Sequence, residues 1–106
     1  MWVILPLVLA ACGDGGPPAI AQDLNLGIGT SQRWPARLSQ QFPTGTPQSK
    51  VISTLQSQGF TVDQGKRTAK LKWSEGVCDH SLEAAWEVDA EGNITDIDGE
   101  HWPACL

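Results

Sequence analysis

The sequence predicts a small α+β domain in which one short helix packs on a three- to four-stranded antiparallel meander. Three observations indicate this fold: one stretch with helical spacing of apolar residues, stretches in which apolar and charged residues alternate, and turn residues between them. The chain has 106 residues and a formal net charge of −5. That length suits one small domain, and the negative charge, without a basic stripe, argues against nucleic acid as a partner.

The helix is predicted over residues 47–58, directly after a Thr-Pro pair that is typical of a helix start. Val51, Ile52 and Leu55 are spaced so that they share one face of this helix. Gly59 is predicted to end it, since glycine is common just beyond the last helical residue.

Strands are predicted at 68–73, 82–88 and 93–97, because apolar and polar residues alternate there. Trp73 and Trp86 fall on the inward side of their strands, which predicts that both are core residues. Two isoleucines in the last strand are out of phase with each other, so we expect a β-bulge there. An Asp-Gly pair that follows predicts a further turn, after which the tail returns to the sheet.

The N-terminal residues look like a bacterial lipoprotein signal peptide. Residues 1–11 are mostly apolar and end in small residues. They are too few to cross a bilayer as a helix, which takes about 20 residues. The sequence Leu-Ala-Ala-Cys resembles a lipobox, which implies cleavage before Cys12 and lipidation of that residue with palmitate; a buried N-terminal strand is the alternative. Residues 12–41 are then predicted to be a flexible tether, because they are rich in Gly and Pro, and 42–106 the folded domain.

Cys78 and Cys105 are predicted to form a disulfide bond, because they are the even remainder in an oxidising compartment. Together with His80 and His101 they also form a C-x-H…H-x3-C arrangement, which could supply four zinc ligands. That spacing is not a standard zinc motif, so the disulfide is favoured and a surface metal site of the two histidines is the weaker alternative. Residues 87–98 align with a calcium loop, but their flanks are strand-like and favour a hairpin. No metal or other cofactor is therefore predicted.

A wider resemblance rests on the order of short motifs. The order is Pro-Thr-Gly-Thr-Pro, a helix, Gly-Phe, strands and then Val-Asp-Ala-Glu-Gly-Asn-Ile. This order resembles that of small proteobacterial envelope lipoproteins of unassigned function. The order is more distantly similar to the small lipoprotein subunit of the outer-membrane β-barrel assembly machine, which packs N-terminal helices on a three-stranded sheet and binds partner subunits. The resemblance covers about residues 42–97. It implies a binding role and assigns no functional residue.

The sequence contains no Gly-x-Ser-x-Gly motif, no glycine-rich phosphate loop and no His-Glu-x-x-His motif. We therefore expect a non-enzymatic interaction module of the bacterial cell envelope, held by a lipid on the outer membrane and facing the periplasm. Trp34 and Trp102 are the candidate binding residues for an envelope protein partner, because aromatic anchors dominate many interfaces. The alternative is an envelope ligand- or metal-binding protein that uses the acidic C-terminal segment with His80 and His101.

Overall fold

The computed structural model describes residues 16–105, so the predicted leader 1–11 and Cys12 lie outside the described residues. Its elements in chain order are a 3-10 helix (Ala19–Leu24), helices α1 (Arg33–Gln41) and α2 (Gln48–Ser57), and strands β1 (Thr61–Asp63), β2 (Thr68–Glu75), β3 (Cys78–Val88) and β4 (Ile94–Cys105). The strands form one antiparallel sheet in the order β1-β2-β3-β4. The predicted α+β class and meander are confirmed, whereas only one of the helices was predicted.

Helix α2 confirms the predicted helix to within one residue at each end. Val51 and Leu55 are buried on its inner face, as their spacing requires. Gly59 follows with a φ of +96°, a conformation that glycine adopts without a steric penalty. The chain therefore turns sharply there, and Phe60 enters the core directly after it.

The predicted bulge lies at the start of β4. Glu87 pairs with Asp96 and Val88 with Ile94, which leaves Thr95 as an extra residue. The extra residue shifts the alternation by one position. Ile94 and Ile97 are therefore both buried, although they are three positions apart. The bulge prediction is confirmed.

Strand β4 runs straight through Asp98 and Gly99, where the sequence predicted a turn. A Cβ atom on Gly99 would lie 2.5 Å from Leu38 Cδ1 and 2.8 Å from Trp34 Cδ1. Glycine is therefore required here for the close approach of helix α1 to the strand. Pairing of β4 with β3 on one side and packing of α1 above it override the turn preference of the Asp-Gly pair.

The core lies between the helices and one face of the sheet. Trp73 and Trp86 point into it, as predicted. The buried apolar residues are Ile20, Ala21, Trp34, Leu38, Phe42, Val51, Leu55, Phe60, Ala69, Trp73, Leu82, Ala84, Trp86, Ile94 and Ile97. On the opposite face of β2, β3 and β4 the side chains are exposed or half-buried, so none of the described elements covers that face.

The predicted flexible tether is wrong for residues 19–41, most of which are helical. Trp34 and Leu38 have no exposed surface, and the indole Nε1 of Trp34 donates a hydrogen bond of 2.8 Å to the carbonyl oxygen of Glu83. With Phe42, also buried, they form a stripe at four-residue spacing on one side of α1. Richness in Gly and Pro predicted a tether, but three large side chains at this spacing are enough to dock a short helix. The domain therefore begins well before residue 42.

The 3-10 helix is fastened to both α-helices. The guanidinium of Arg37 donates to both carboxylate oxygens of Asp23, at 2.8 and 2.7 Å, and to the carbonyl oxygen of Ile20 at 2.8 Å. These hydrogen bonds hold the pKa of Asp23 below its ordinary value. The backbone N–H of Ile20 donates to Gln58 Oε1 at 2.8 Å. Three separate segments are thus joined by a few polar contacts around one buried isoleucine.

Candidate functional site

Both cysteines lie at one end of the β3–β4 ladder. Cys78 and Cys105 are direct register partners with their Cα atoms 4.0 Å apart, and they are placed as a disulfide pair with 26 residues between them in the chain, a sequence separation of 27. The bond fastens the end of β4 to the start of β3. It also occupies both sulfurs, so in this state neither cysteine can act as a thiolate ligand for a metal.

The two histidines are in contact but are not on the surface. His80 and His101 each have 4% of their surface exposed, and His80 Nδ1 lies 2.9 Å from His101 Nε2. Trp73 stacks on His80 with ring centroids 4.7 Å apart. The predicted surface metal site is therefore wrong, because alternation along β3 and β4 turns both imidazoles towards the core.

Glu75 determines which histidine nitrogens donate hydrogen bonds and which accept them. Its Oε1 lies 3.3 Å from His80 Nε2, and an ionised carboxylate only accepts hydrogen bonds. With both imidazoles neutral, His80 Nε2 donates to Glu75 and His80 Nδ1 accepts from His101 Nε2. His101 Nδ1 is then an unprotonated, buried nitrogen, and it has no hydrogen-bond partner among the described residues.

Burial lowers the pKa of His101, and the neighbouring His80 lowers it further. The neutral form of His101 is therefore favoured in the folded protein. Glu75, His80 and His101 stand on β2, β3 and β4 respectively, so this chain of hydrogen bonds crosses three strands beside the disulfide. It is a polar link with two buried histidines and an exposed carboxylate at one end, and the sequence did not predict it, since no motif joins a Glu and two His at these separations. Among residues 16–105, no group of three or more His, Cys, Asp or Glu side chains is arranged to hold a metal ion.

The two predicted binding tryptophans have opposite environments. Trp34 has no exposed surface, so it is a core residue and the prediction is wrong for it. Trp102 is 48% exposed and lies on the uncovered face of the sheet, opposite Ser81 in the register. Ser81 in turn faces Lys72 on β2, so the indole stands among small and polar neighbours.

Carboxylates occupy much of the rest of the uncovered face. Glu83 lies directly opposite Glu100, and Glu87 directly opposite Asp96. Like charges at opposed positions destabilise a sheet, and a partial offset comes from Lys70, whose Nζ lies 3.6 Å from Glu83 Oε2. The uncovered face therefore combines one large exposed aromatic ring with more carboxylates than lysines.

Neither protein-family models, curated proteins nor solved structures give a match to this chain. Within the part of the chain that the structure describes, no helix is both long enough and apolar enough to cross a bilayer. The class defined by the fold is thus a small α+β domain with a four-stranded meander and one uncovered sheet face.

Proposed function

We propose that this chain is a lipid-anchored protein of the bacterial cell envelope whose domain binds a partner protein and carries out no chemistry of its own. Cys12 carries the lipid in this proposal, which the Leu-Ala-Ala-Cys sequence supports, and the protein sits on the outer membrane facing the periplasm. The resemblance to small proteobacterial envelope lipoproteins supports the location. The more distant resemblance to the small lipoprotein subunit of the β-barrel assembly machine supports a binding role.

The observation that carries the binding role is the exposure of Trp102 on the uncovered sheet face. An indole ring that is half in water offers a large apolar surface for burial, and tryptophan is among the residues that contribute most at protein interfaces. Trp34 is no longer a candidate, because it is already buried against the sheet. The binding surface proposed here is therefore the part of β3 and β4 around Trp102.

Charge indicates the kind of partner. The uncovered face carries opposed carboxylates at Glu83 with Glu100 and at Glu87 with Asp96. A partner with Lys or Arg side chains around an apolar pocket would relieve this repulsion while receiving the indole ring. Such complementarity speeds association and fixes the orientation of the complex.

The binding role is tested by crosslinking in intact envelopes, followed by quantitative mass spectrometry of the captured proteins. Replacing Trp102 by Ala should weaken capture of the partner about thirtyfold, since loss of a central aromatic anchor often costs about 2 kcal/mol. Thr61→Ala, on the same face but on β1, is the matched control and should capture normally. Equal capture by both variants would contradict the proposed surface, and a lowered melting temperature for Trp102→Ala would show that the ring is structural.

The anchor is tested separately. A Cys12→Ala variant should lose palmitate labelling and appear in the soluble fraction, because one acyl-bearing residue is the proposed link to the membrane. Membrane fractionation and acyl labelling that do not change would contradict the lipid anchor.

A further inference from the structure

Two exposed apolar residues stand at the tips of turns. Ile28 is 76% exposed and Val77 is 63% exposed; Ile28 lies in a turn with Gly29, and Val77 in the Gly76-Val77 turn between β2 and β3. Polar residues and glycine usually occupy such positions. An exposed β-branched residue at each of two tips therefore needs an explanation.

Both tips belong to the same end of the domain. Ile28 lines a depression of about 290 Å³ together with Glu75, Cys78 and Cys105. Val77 lies in the chain between Glu75 and Cys78, which both line this depression. The end of the sheet that carries the disulfide thus presents two apolar turn tips.

The N-terminal part of the chain leaves from this end as well. Pro17, close to the first described residue, lines a second depression with Leu26, Trp73 and Glu75. Leu26 and Glu75 also line the depression beside Ile28, so the two depressions adjoin. The proposed lipid-bearing residue therefore connects to the domain at the disulfide end.

The connection is short. Cys12 and Pro17 are five positions apart in the sequence, and five residues of fully extended chain span at most about 18 Å. A flexible tether of some 30 residues would have left the domain free to face in any direction, with a root-mean-square reach of roughly 30 Å. Because residues 19–41 are packed into the fold, a lipid on Cys12 keeps the disulfide end within about 18 Å of the membrane surface.

We propose that the disulfide end docks on the lipid surface, with Ile28 and Val77 in the boundary between headgroups and acyl chains. The inference rests on the lipid anchor at Cys12 proposed above. Apolar side chains placed at this boundary leave water for a hydrophobic environment. No Lys or Arg lines either depression, so binding does not depend on anionic lipids. The strands then run away from the membrane, which leaves the face around Trp102 open to a partner.

The test uses the full-length protein purified from bacterial membranes, reconstituted into phosphatidylcholine vesicles with plain or brominated acyl chains. Bromine quenches the fluorescence of a tryptophan that enters the bilayer. Ile28→Trp and Val77→Trp place reporters at the two tips, and Glu91→Trp is the matched control, in the exposed turn between β3 and β4 at the far end of the sheet. The emission of each added tryptophan, taken as the difference from wild type, should fall roughly twofold at the two tips in brominated vesicles and stay unchanged at Glu91, because interfacial burial reaches about 5–10 Å into the bilayer.

Mass spectrometry of the same samples determines whether Cys12 is acylated, which separates the two proposals. Acylated protein with no quenching at either tip overturns the docking and leaves the anchor standing. Quenching at both tips without acylation supports the docking and overturns the anchor. If the tips are protected from hydrogen exchange in native membranes but are not quenched in pure lipid vesicles, their occupant is a protein and the lipid-docking inference fails.

Discussion

Replacing Gly99 by Ala tests the part of the fold that the sequence failed to predict, namely the packing of α1 on the sheet. The new methyl group would lie 2.5 Å from Leu38 Cδ1 and 2.8 Å from both Cδ1 and Nε1 of Trp34. These contacts are too short to persist, and the atoms concerned are fully buried. Helix α1 must therefore move away from β4 or change its side-chain rotamers.

Two costs follow from that movement. Overpacking of a buried site typically costs about 1–3 kcal/mol. Displacement of Trp34 also lengthens the 2.8 Å hydrogen bond from its Nε1 to the carbonyl oxygen of Glu83, and an unpaired buried polar group costs about 1–3 kcal/mol. We expect the free energy of unfolding to fall by about 3 kcal/mol, which for a domain of this size lowers the melting temperature by roughly 12–24 °C.

Urea unfolding followed by tryptophan fluorescence measures the loss. Gly65→Ala is the matched control: its new Cβ would meet its nearest atom, Asp63 Oδ1, at 3.6 Å, and it should change stability by less than about 1 kcal/mol. The Leu38→Ala background removes the shortest of the three contacts and leaves those with Trp34, so the Gly99→Ala cost should shrink by about 1 kcal/mol in a double-mutant cycle but should not vanish. A Gly99→Ala protein as stable as wild type would refute the described packing of α1.

Two further predictions concern the disulfide end. The double replacement Cys78→Ser and Cys105→Ser should lower the free energy of unfolding by about 3–4 kcal/mol, because it removes a constraint on the unfolded chain; a loss below about 1 kcal/mol in urea unfolding would contradict this role. The pKa of His101 lies below its ordinary value of 6.5 in the folded protein, so the unfolded chain binds more protons as the pH falls through 6.5. Stability should therefore decline from about pH 7 downwards and level off below the folded pKa, and a His101→Gln variant with the same pH slope would argue against this origin.

The sequence determined the elements whose signal is local. Helix α2 has its apolar residues at helical spacing and a glycine at its end, and strands β2 and β3 alternate strongly enough to place Trp73 and Trp86 inside. The bulge at the start of β4 could also be predicted, because two isoleucines can share a buried face at that spacing only if the ladder shifts. The pairing of Cys78 with Cys105 followed from counting cysteines.

Only the tertiary structure determined helix α1, the straight course of β4 and the contact between the two histidines. None of these features is stable without the neighbouring elements. A nine-residue helix is marginal in isolation, so α1 forms because Trp34 and Leu38 are buried against a strand that has no side chain at Gly99. The same close contact keeps β4 extended where an Asp-Gly pair favours a turn. His80 and His101 meet only because the β3–β4 register brings them together beside Glu75. A helix or strand can be predicted from its own residues when their apolar periodicity is strong. When that periodicity is weak, the element forms only because a neighbouring element buries it.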